Sequence, residues 1–305
     1  MSSTLRPEVL VVGEALIDVI ERAGSTIELP GGSAANTAVA LARLGRAVTL
    51  ATALGDDARG RTLRGWLGGS GVTVETTPIG RTSTATARLA SDGSASYVFD
   101  LDWRVDRELR GAAIIHTGSL AAVVPPGAAA VEDLLDRCRE DTLLSIDPNV
   151  RRSFVGDDDR RRLLRLVEKA DIVKLSEEDL DWLSPGRPVA DAATQWLAGR
   201  AGIVVVTRAE RGIVGFTRDG EVDVAAAPTA VIDTVGAGDT VSAALLDGLL
   251  SIPAVAESGR PGLRELRTCE LLPLLERCAR AAAITVGRAG ANPPTGAEVA
   301  ITPPT

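Results

Sequence analysis

One carboxylate sits where its surroundings could support chemistry: Asp239, at the end of the stretch Val231-Ile232-Asp233-Thr234-Val235-Gly236-Ala237-Gly238-Asp239. Val231 and Ile232 read as the end of a buried strand, and Asp233 to Gly238 as a turn of small residues. Val241, Ala244, Leu245 and Leu249 recur at helical spacing, so a helix starts at or just before Asp239. Glycines let a ligand come close to the main chain. The first N–H groups of a helix lack internal partners and lie at the positive end of its dipole. Together these make an anion site, most simply for a phosphate. A carboxylate beside it would repel the anion, which suggests a base for whatever attacks the phosphorus. Asp is equally a favoured residue at helix starts, so on these residues alone capping and catalysis stand level. Two familiar phosphate loops are excluded. G-x-G-x-x-G fails because position 241 is Val, and a Walker A loop fails because neither Lys169 nor Lys174 follows a glycine.

Other polar residues gather at predicted strand ends. Asp18 and Asn36 flank the Gly31-Gly32 turn and suit a small ligand with several hydroxyls, although Asn36 could instead bond local backbone. Asp147-Pro148-Asn149-Val150-Arg151 follows a strand, where open α/β sheets bind ligands, and Arg151 is the best-placed phosphate contact. Arg152 and Arg160 read as a solvated helix face. His116 reads as a structural histidine, Trp103 as packing rather than stacking, and Asp157-Asp158-Asp159 as a helix start rather than a metal cluster.

The 305-residue chain has room for one large α/β domain with an appendage, or for two domains. With aromatics at 3%, its core must be built from Ala, Val, Leu and Ile. A net charge of -8 argues against nucleic acid or an anionic membrane as partner. The cysteines, Cys138, Cys269 and Cys278, lack metal-ligand spacing and read as free thiols in a reducing compartment. With His116 the single histidine, zinc is disfavoured. No apolar run is long enough to span a membrane and the N-terminus lacks a signal-peptide core, so a cytoplasmic protein is expected.

The elements needed to hold these residues alternate along the chain. Strands are expected at 9–12, 48–54, 114–116, 143–146, 172–175 and 203–207. Helices are expected at 57–67, 127–139, 158–170 and 189–198. Two hairpins interrupt the pattern, 16–21 with 25–29 around Ala23-Gly24, and 84–90 with 95–101 around Ser91-Asp92-Gly93-Ser94. They are expected to pair into one small sheet covering a site. A late hairpin, 213–217 with 222–226, belongs at the sheet edge. Residues 263–286 read as mostly helical, with Pro273 kinking or splitting them, and the tail is Pro-rich from Pro293. The fold class is α/β, with a mostly parallel sheet flanked by helices.

Two segments, PGGSAANTAVALARLG (30–45) and DTVGAGDTVSAALLDGLL (233–250), resemble the N- and C-terminal signatures of the ribokinase-like (PfkB) family of carbohydrate kinases. GEALIDVI, HTGSL, DPNVR and RAGANPP are most similar to its bacterial fructokinase branch. The resemblance covers essentially the whole chain. It implies a single ribokinase-like domain over 1–305, with a β lid from segments near 14–30 and 82–104, and a homodimer formed through that lid. It implies ATP as phosphoryl donor, Mg²⁺ as cation, and a small sugar as acceptor, most simply fructose. 2-Keto-3-deoxygluconate, ribose and adenosine are the alternatives within the family, and a non-catalytic sensor is the alternative outside it. Adenosine would want an aromatic clamp, for which only Trp103 and Tyr97 are available. By the same resemblance Asp239 is the base, and the amides of Gly236, Ala237 and Gly238 form the anion hole. Asp18, Gly31, Gly32, Asn36, Arg104 and Asn149 face the sugar, and Arg151 binds the substrate near the transferred phosphate. Lys174, Ser176, Thr207, Arg208, Gly212, Gly236, Gly238 and Asn292 border ATP. The family's N-x-x-E appears here as Ser176 and Asp179, where Asp179 could act on the metal through water. Its T-L-G-x-x-G appears as TRAERG, so Arg208 could meet phosphate or solvent. Asp233, with backbone near Ala289, permits a monovalent cation such as K⁺.

Overall fold

In the computed structural model, residues 8–22, 25–89, 95–105, 112–152 and 154–300 are described. The turns expected at Ala23-Gly24 and Ser91-Asp92-Gly93-Ser94 lie outside them, as do the last residues of the Pro-rich tail and the side chain of Tyr97.

The first strand, β1 (Val9–Val12), shows how the interior is laid out. It is buried on both faces, as a central parallel strand must be, with Val9 and Val11 packing into one apolar cluster and Leu10 and Val12 into another. The chain then leaves for a hairpin, β2 (Leu16–Arg22) and β3 (Ser25–Gly31), and returns as α1 (Ser33–Arg43), β4 (Val48–Gly55), α2 (Ala58–Gly69) and β5 (Thr73–Ile79). A second hairpin, β6 (Thr84–Leu89) and β7 (Ala95–Asp100), precedes β8 (Ile114–Gly118). Regular alternation follows with α3 (Gly127–Arg137), β9 (Leu143–Asp147), α4 (Asp157–Lys169), β10 (Ile172–Ser176), α5 (Glu177–Leu183), α6 (Val189–Ala198) and β11 (Ile203–Thr207). The edge hairpin is β12 (Ile213–Phe216) and β13 (Glu221–Val224). The rest is helical: α7 (Ala237–Leu250), α8 (Pro253–Ser258), α9 (Arg260–Arg264), α10 (Thr268–Val286) and α11 (Gly296–Ala300).

Among the described residues the main sheet has nine strands in the order β13-β12-β11-β10-β9-β8-β1-β4-β5, parallel except for the β12 and β13 edge. The chain winds from β1 to β4 and β5, then restarts at β8 on the other side of β1. Strand order therefore reverses beside β1, the point at which such sheets open a crevice at their C-terminal ends. The two hairpins form a separate sheet, β3-β2-β6-β7, joined by the parallel β2–β6 pair.

Several sequence expectations shift. Val231 and Ile232 are not a buried strand: they are coil, 66% and 65% exposed. Their β-branched side chains suggested burial, but their amides belong to a loop in which Ile232 N–H donates to Val286 O. β5 was not anticipated, because TVETTPI carries little apolar signal and owes its place to pairing with β4. Pro273 does not split α10. It lies inside the helix, past the first turn, and α10 continues to Val286 without the amide that a residue at 273 would donate to the Cys269 carbonyl. Trp103 is buried, donating Nε1–H to Ala121 O at 3.0 Å, and His116 is buried with Nδ1 2.9 Å from Ser145 Oγ. Asp157, Asp158 and Asp159 form the acidic first turn of α4.

The N-terminal end of β10 is held by a charge cluster. Asp171 is fully buried and accepts from Leu144 N at 2.9 Å, Arg200 Nε at 3.1 Å and Arg260 Nε at 2.6 Å. It ties β9, the residues after α6, and α9 to one point. Asp171→Asn leaves two guanidinium groups against a neutral amide. Breaking a buried ion pair in this way is expected to cost about 3 kcal/mol. Urea unfolding should show a lower midpoint with the slope unchanged.

Candidate active site

Asp239 is the third residue of α7 and is buried. It does not cap its own helix: the position before Ala237 is Gly236, and no side chain bonds the first turn. Its carboxylate instead crosses to the start of α1. Oδ1 accepts from Ser33 Oγ at 2.6 Å and Oδ2 from Asn36 Nδ2 at 2.8 Å. Asn149 Nδ2 in turn donates to Ser33 Oγ at 2.8 Å, which brings the loop after β9 into the same cluster. Asn149 has φ 39°, a left-handed conformation that Asn tolerates better than most residues. Burial pushes the Asp239 carboxyl up from its usual range and Asp147 adds to this, while the bonds from Ser33 and Asn36 and the charge of Lys174 oppose it.

The turn before α7 has the form expected of an anion site. Gly236 is left-handed at φ 76°, and a Cβ there would lie 2.7 Å from that of Ala291. Asp233 closes the turn, its carboxylate accepting from Val235 N at 3.0 Å and Gly290 N at 2.9 Å. Of the three amides expected to face an anion, that of Ala237 already makes a long bond of 3.3 Å to Thr234 O. Val231, Ile232 and Val235 flank the turn as exposed apolar side chains.

Lys174, expected at the nucleotide, is instead buried beneath the turn. Its Nζ donates to Asp147 Oδ2 at 2.8 Å, and that oxygen also accepts from Ser242 Oγ at 2.9 Å. A Cβ on Gly238 would sit 3.0 Å from this ammonium. Burial works against the lysine's charge, but Asp147, Asp179 and Asp239 outweigh it, and its pKa lies above the usual value. It places a fixed positive charge under the first turn of α7.

On the other side, Asp18 of β2 lies above Gly31, where a Cβ would come within 2.0 Å of Asp18 Oδ2. Burial raises Asp18 to about 6 against the pull of Arg151, and Asp239 adds a little. Glu14, which follows β1, was not singled out in the sequence, yet it joins three elements. Oε1 accepts from Ser33 N at 3.0 Å, at the start of α1 just after its cap Gly32, and Oε2 accepts from Ala121 N at 3.2 Å. Burial pushes Glu14 to about 7, opposed by these donors, by the Ser119 hydroxyl and by Arg151. Ser33, Asp147 and Ser242 also escaped notice. Spacing could have found two of them, since Ser33 lies three residues before Asn36 and Ser242 three after Asp239.

Other expected residues are placed elsewhere. Arg104 pairs with Asp102, half exposed. Arg208 is largely buried and pairs with Asp223 of β13. Asn292 accepts from Arg43 Nη1 at 2.7 Å, at the far end of α1. Ser176 and Asp179 form a capping box on α5: Asp179 Oδ2 accepts from Ser176 N and Oγ, and Oδ1 from Val150 N at 2.7 Å. Thr207 pairs with Ser176 in register at the ends of β11 and β10, and Gly212 ends the turn after Arg208. Among the described residues no group of three or more His, Cys, Asp or Glu side chains could hold a metal by itself. No described helix is long and apolar enough to cross a membrane.

A helix start that carries a buried carboxylate and faces a second glycine-turned helix start, at the switch point of a parallel sheet, is the arrangement of a class of α/β phosphotransferases. The chain belongs to the pfkB family of carbohydrate kinases, whose model matches residues 6–297. It is 34% identical over 278 residues to a fructokinase of Rhizobium leguminosarum bv. trifolii, covering 84% of this chain and 85% of that protein. It is 30% identical over 321 residues to fructokinase-1 of Zea mays, covering 96% and 97%. Its fold matches the crystal structure of Xylella fastidiosa fructokinase with bound ATP at a TM-score of 0.84, with 27% identity and coverage of 95% and 96%.

Glu14 and Asp18 hold protons in the folded state at pH values where the unfolded chain has released them. Their contribution to stability is therefore present below the unfolded values and declines as pH rises toward about 7 for Glu14 and about 6 for Asp18. Glu14→Gln should flatten the fall in unfolding free energy from pH 5 to 7, followed by urea denaturation at each pH. An unchanged slope would refute a proton on Glu14.

Proposed function

We propose that this protein is an ATP-dependent fructokinase, transferring the γ-phosphoryl group to the primary 6-hydroxyl of D-fructose. The observation that carries the reading is the placement of Asp239: in the first turn of α7, beside a glycine turn that leaves helix amides for an anion, and within reach of two polar side chains of α1. The fructokinases among its relatives support the choice of acceptor.

The chain's residues divide the work. Asp18 and Asn36 hold sugar hydroxyls; Asn36 Oδ1 is buried with no partner among the described residues, an acceptor waiting for a hydroxyl donor. Gly31 and Gly32 let the sugar approach the main chain, and Asn149 and Arg151 close the side nearest β9. Asp239 takes the proton of the attacking hydroxyl. The amides of Gly236, Ala237 and Gly238, with the Lys174 ammonium below them, stabilise charge developing on the transferred group. Asp18 stays near Arg151 and Asp233 is bonded to the amides of Val235 and Gly290, which leaves the proton transfer to Asp239.

ATP brings its phosphates to that turn, and Val231, Ile232 and Val235 offer an apolar shelf to a purine. Bound Mg²⁺ would neutralise phosphate charge. Such an ion would be held mostly by phosphate and water, with Asp179 contributing through water. Asp233 and the backbone near Ala289 would hold K⁺. The four-stranded sheet acts as a lid on the single domain and excludes water. Ile27 and Leu29, exposed on its edge strand β3, support a homodimer through that lid. We place the enzyme in the cytoplasm, consistent with its free cysteines.

Asp239→Asn should lower kcat by roughly 10²–10⁴ while leaving ATP binding largely intact. Measured by coupled ADP release, the native protein should show its highest kcat/KM on fructose in a panel with ribose, 2-keto-3-deoxygluconate and adenosine. A larger kcat/KM on any of the other three would remove fructose as the acceptor.

A further inference from the structure

Ser33 lies at the crossing of three bonds. Its N–H donates to Glu14 Oε1 at 3.0 Å, its hydroxyl donates to Asp239 Oδ1 at 2.6 Å, and the same oxygen accepts from Asn149 Nδ2 at 2.8 Å. The last two bonds constrain each other. An amide NH₂ can only donate, so it occupies a lone pair of Oγ and leaves the single hydroxyl hydrogen for Asp239. Two donors in series of this kind strengthen one another in a buried site. We propose that Ser33 is a positioning residue for phosphoryl transfer: its hydroxyl, oriented by Asn149, fixes the Asp239 carboxylate and keeps it ready to accept a proton. The inference rests on the reading of Asp239 as the base.

Burial and Asp147 of β9 both push the Asp239 carboxyl toward its protonated form, which cannot act as a base. Lys174 of β10 opposes them by charge, and Ser33 and Asn36 of α1 oppose them by bonding. Asp18 of β2 adds a weak repulsion, held in check by Arg151. Of these, the Ser33 bond is the shortest. Its removal leaves Oδ1 without a donor in a buried position, and the carboxyl should then bind its proton more tightly.

The test is the pH profile of kcat/KM, which reports groups of the free enzyme, the state in which this hydrogen-bond chain is seen. Ser33→Ala should move the acid limb upward by about one pH unit, so that rates on that limb fall about tenfold and recover at higher pH. Ser33→Thr keeps a hydroxyl and should restore the native limb. Asn149→Ala frees the hydroxyl to rotate and should shift the limb the same way by less. An S33A profile that overlays the native one, or that drops equally at every pH, overturns the proposal, because a packing role would not move the limb. Asp239→Asn assayed alongside separates the two readings. If it collapses while the S33A limb stays put, only the role of Ser33 fails; if it retains turnover, Asp239 is not the base and this inference goes with it.

Discussion

The structure depends on how closely two helix starts approach each other. α1 and α7 pack together and both are rich in alanine: Ala34, Ala35 and Ala38 on one, Ala243 and Ala244 on the other, all buried. Small side chains at a helix contact bring the axes together, and here that closeness has a specific consequence. Ser33 and Asn36 reach the Asp239 carboxylate directly, across more than 200 residues of sequence. A chain so poor in aromatics could not have filled that interface with large rings. Its alanine-rich composition and its close helix contact express the same constraint.

That contact buries charge, and the surroundings are arranged to tolerate it. Asp239 and Asp147 lie near one ammonium, Lys174; Asp18 and Glu14 lie near one guanidinium, Arg151. Each group of acids shares a single cation, so neither is fully neutralised within the chain. The first group is committed to fixed geometry, since Lys174 and Ser242 converge on one oxygen of Asp147. The second is looser: Arg151 is exposed, and among the described residues its guanidinium makes no hydrogen bond to either acid. The rigid half lies under the phosphate turn and the adaptable half under the four-stranded sheet. Phosphate recognition asks for fixed donors, whereas a bound sugar must displace something to enter.

Much of this could be read from the sequence, for identifiable reasons. β1 and the strands β8 to β11 were legible because strands buried on both faces are continuous apolar runs, and the two hairpins because period-two patterning and an Asp-Gly turn announced the second. Asp239 and Asn36 were found because each lies beside a glycine turn, and Asn149 because its segment follows a strand. What local pattern could not give was partnership. Lys174 was set beside ATP by the family resemblance, which does not give its partner: Asp147 lies on the neighbouring strand, and the parallel β9–β10 pairing brings them together. Arg208 was assigned to phosphate or solvent from the match of TRAERG to a family loop, which says nothing of Asp223, brought to it through the β12–β13 hairpin. Glu14 was passed over because a single charge after an apolar strand looks like the strand's exit to solvent.

Two aspartates at the same position in their helices show how context separates capping from chemistry. Asp179 is the third residue of α5 and Asp239 the third of α7. In α5 the residue before the helix is Ser176, which bonds the amide of Asp179 and is bonded by its carboxylate in return. The box closes on itself, and the carboxylate is oriented by local order. In α7 the equivalent residue is Gly236, which has no side chain to offer and whose left-handed backbone turns the chain away. With no reciprocal partner, the Asp239 carboxylate is released to α1, and the first amides of α7 receive no side-chain cap. The same glycine that denies the helix a cap thus leaves its N-terminus to an outside anion and its aspartate free to act on another group. Local capping and a long-range contact, indistinguishable at Asp239 in the sequence, are separated by the identity of the residue three positions before it.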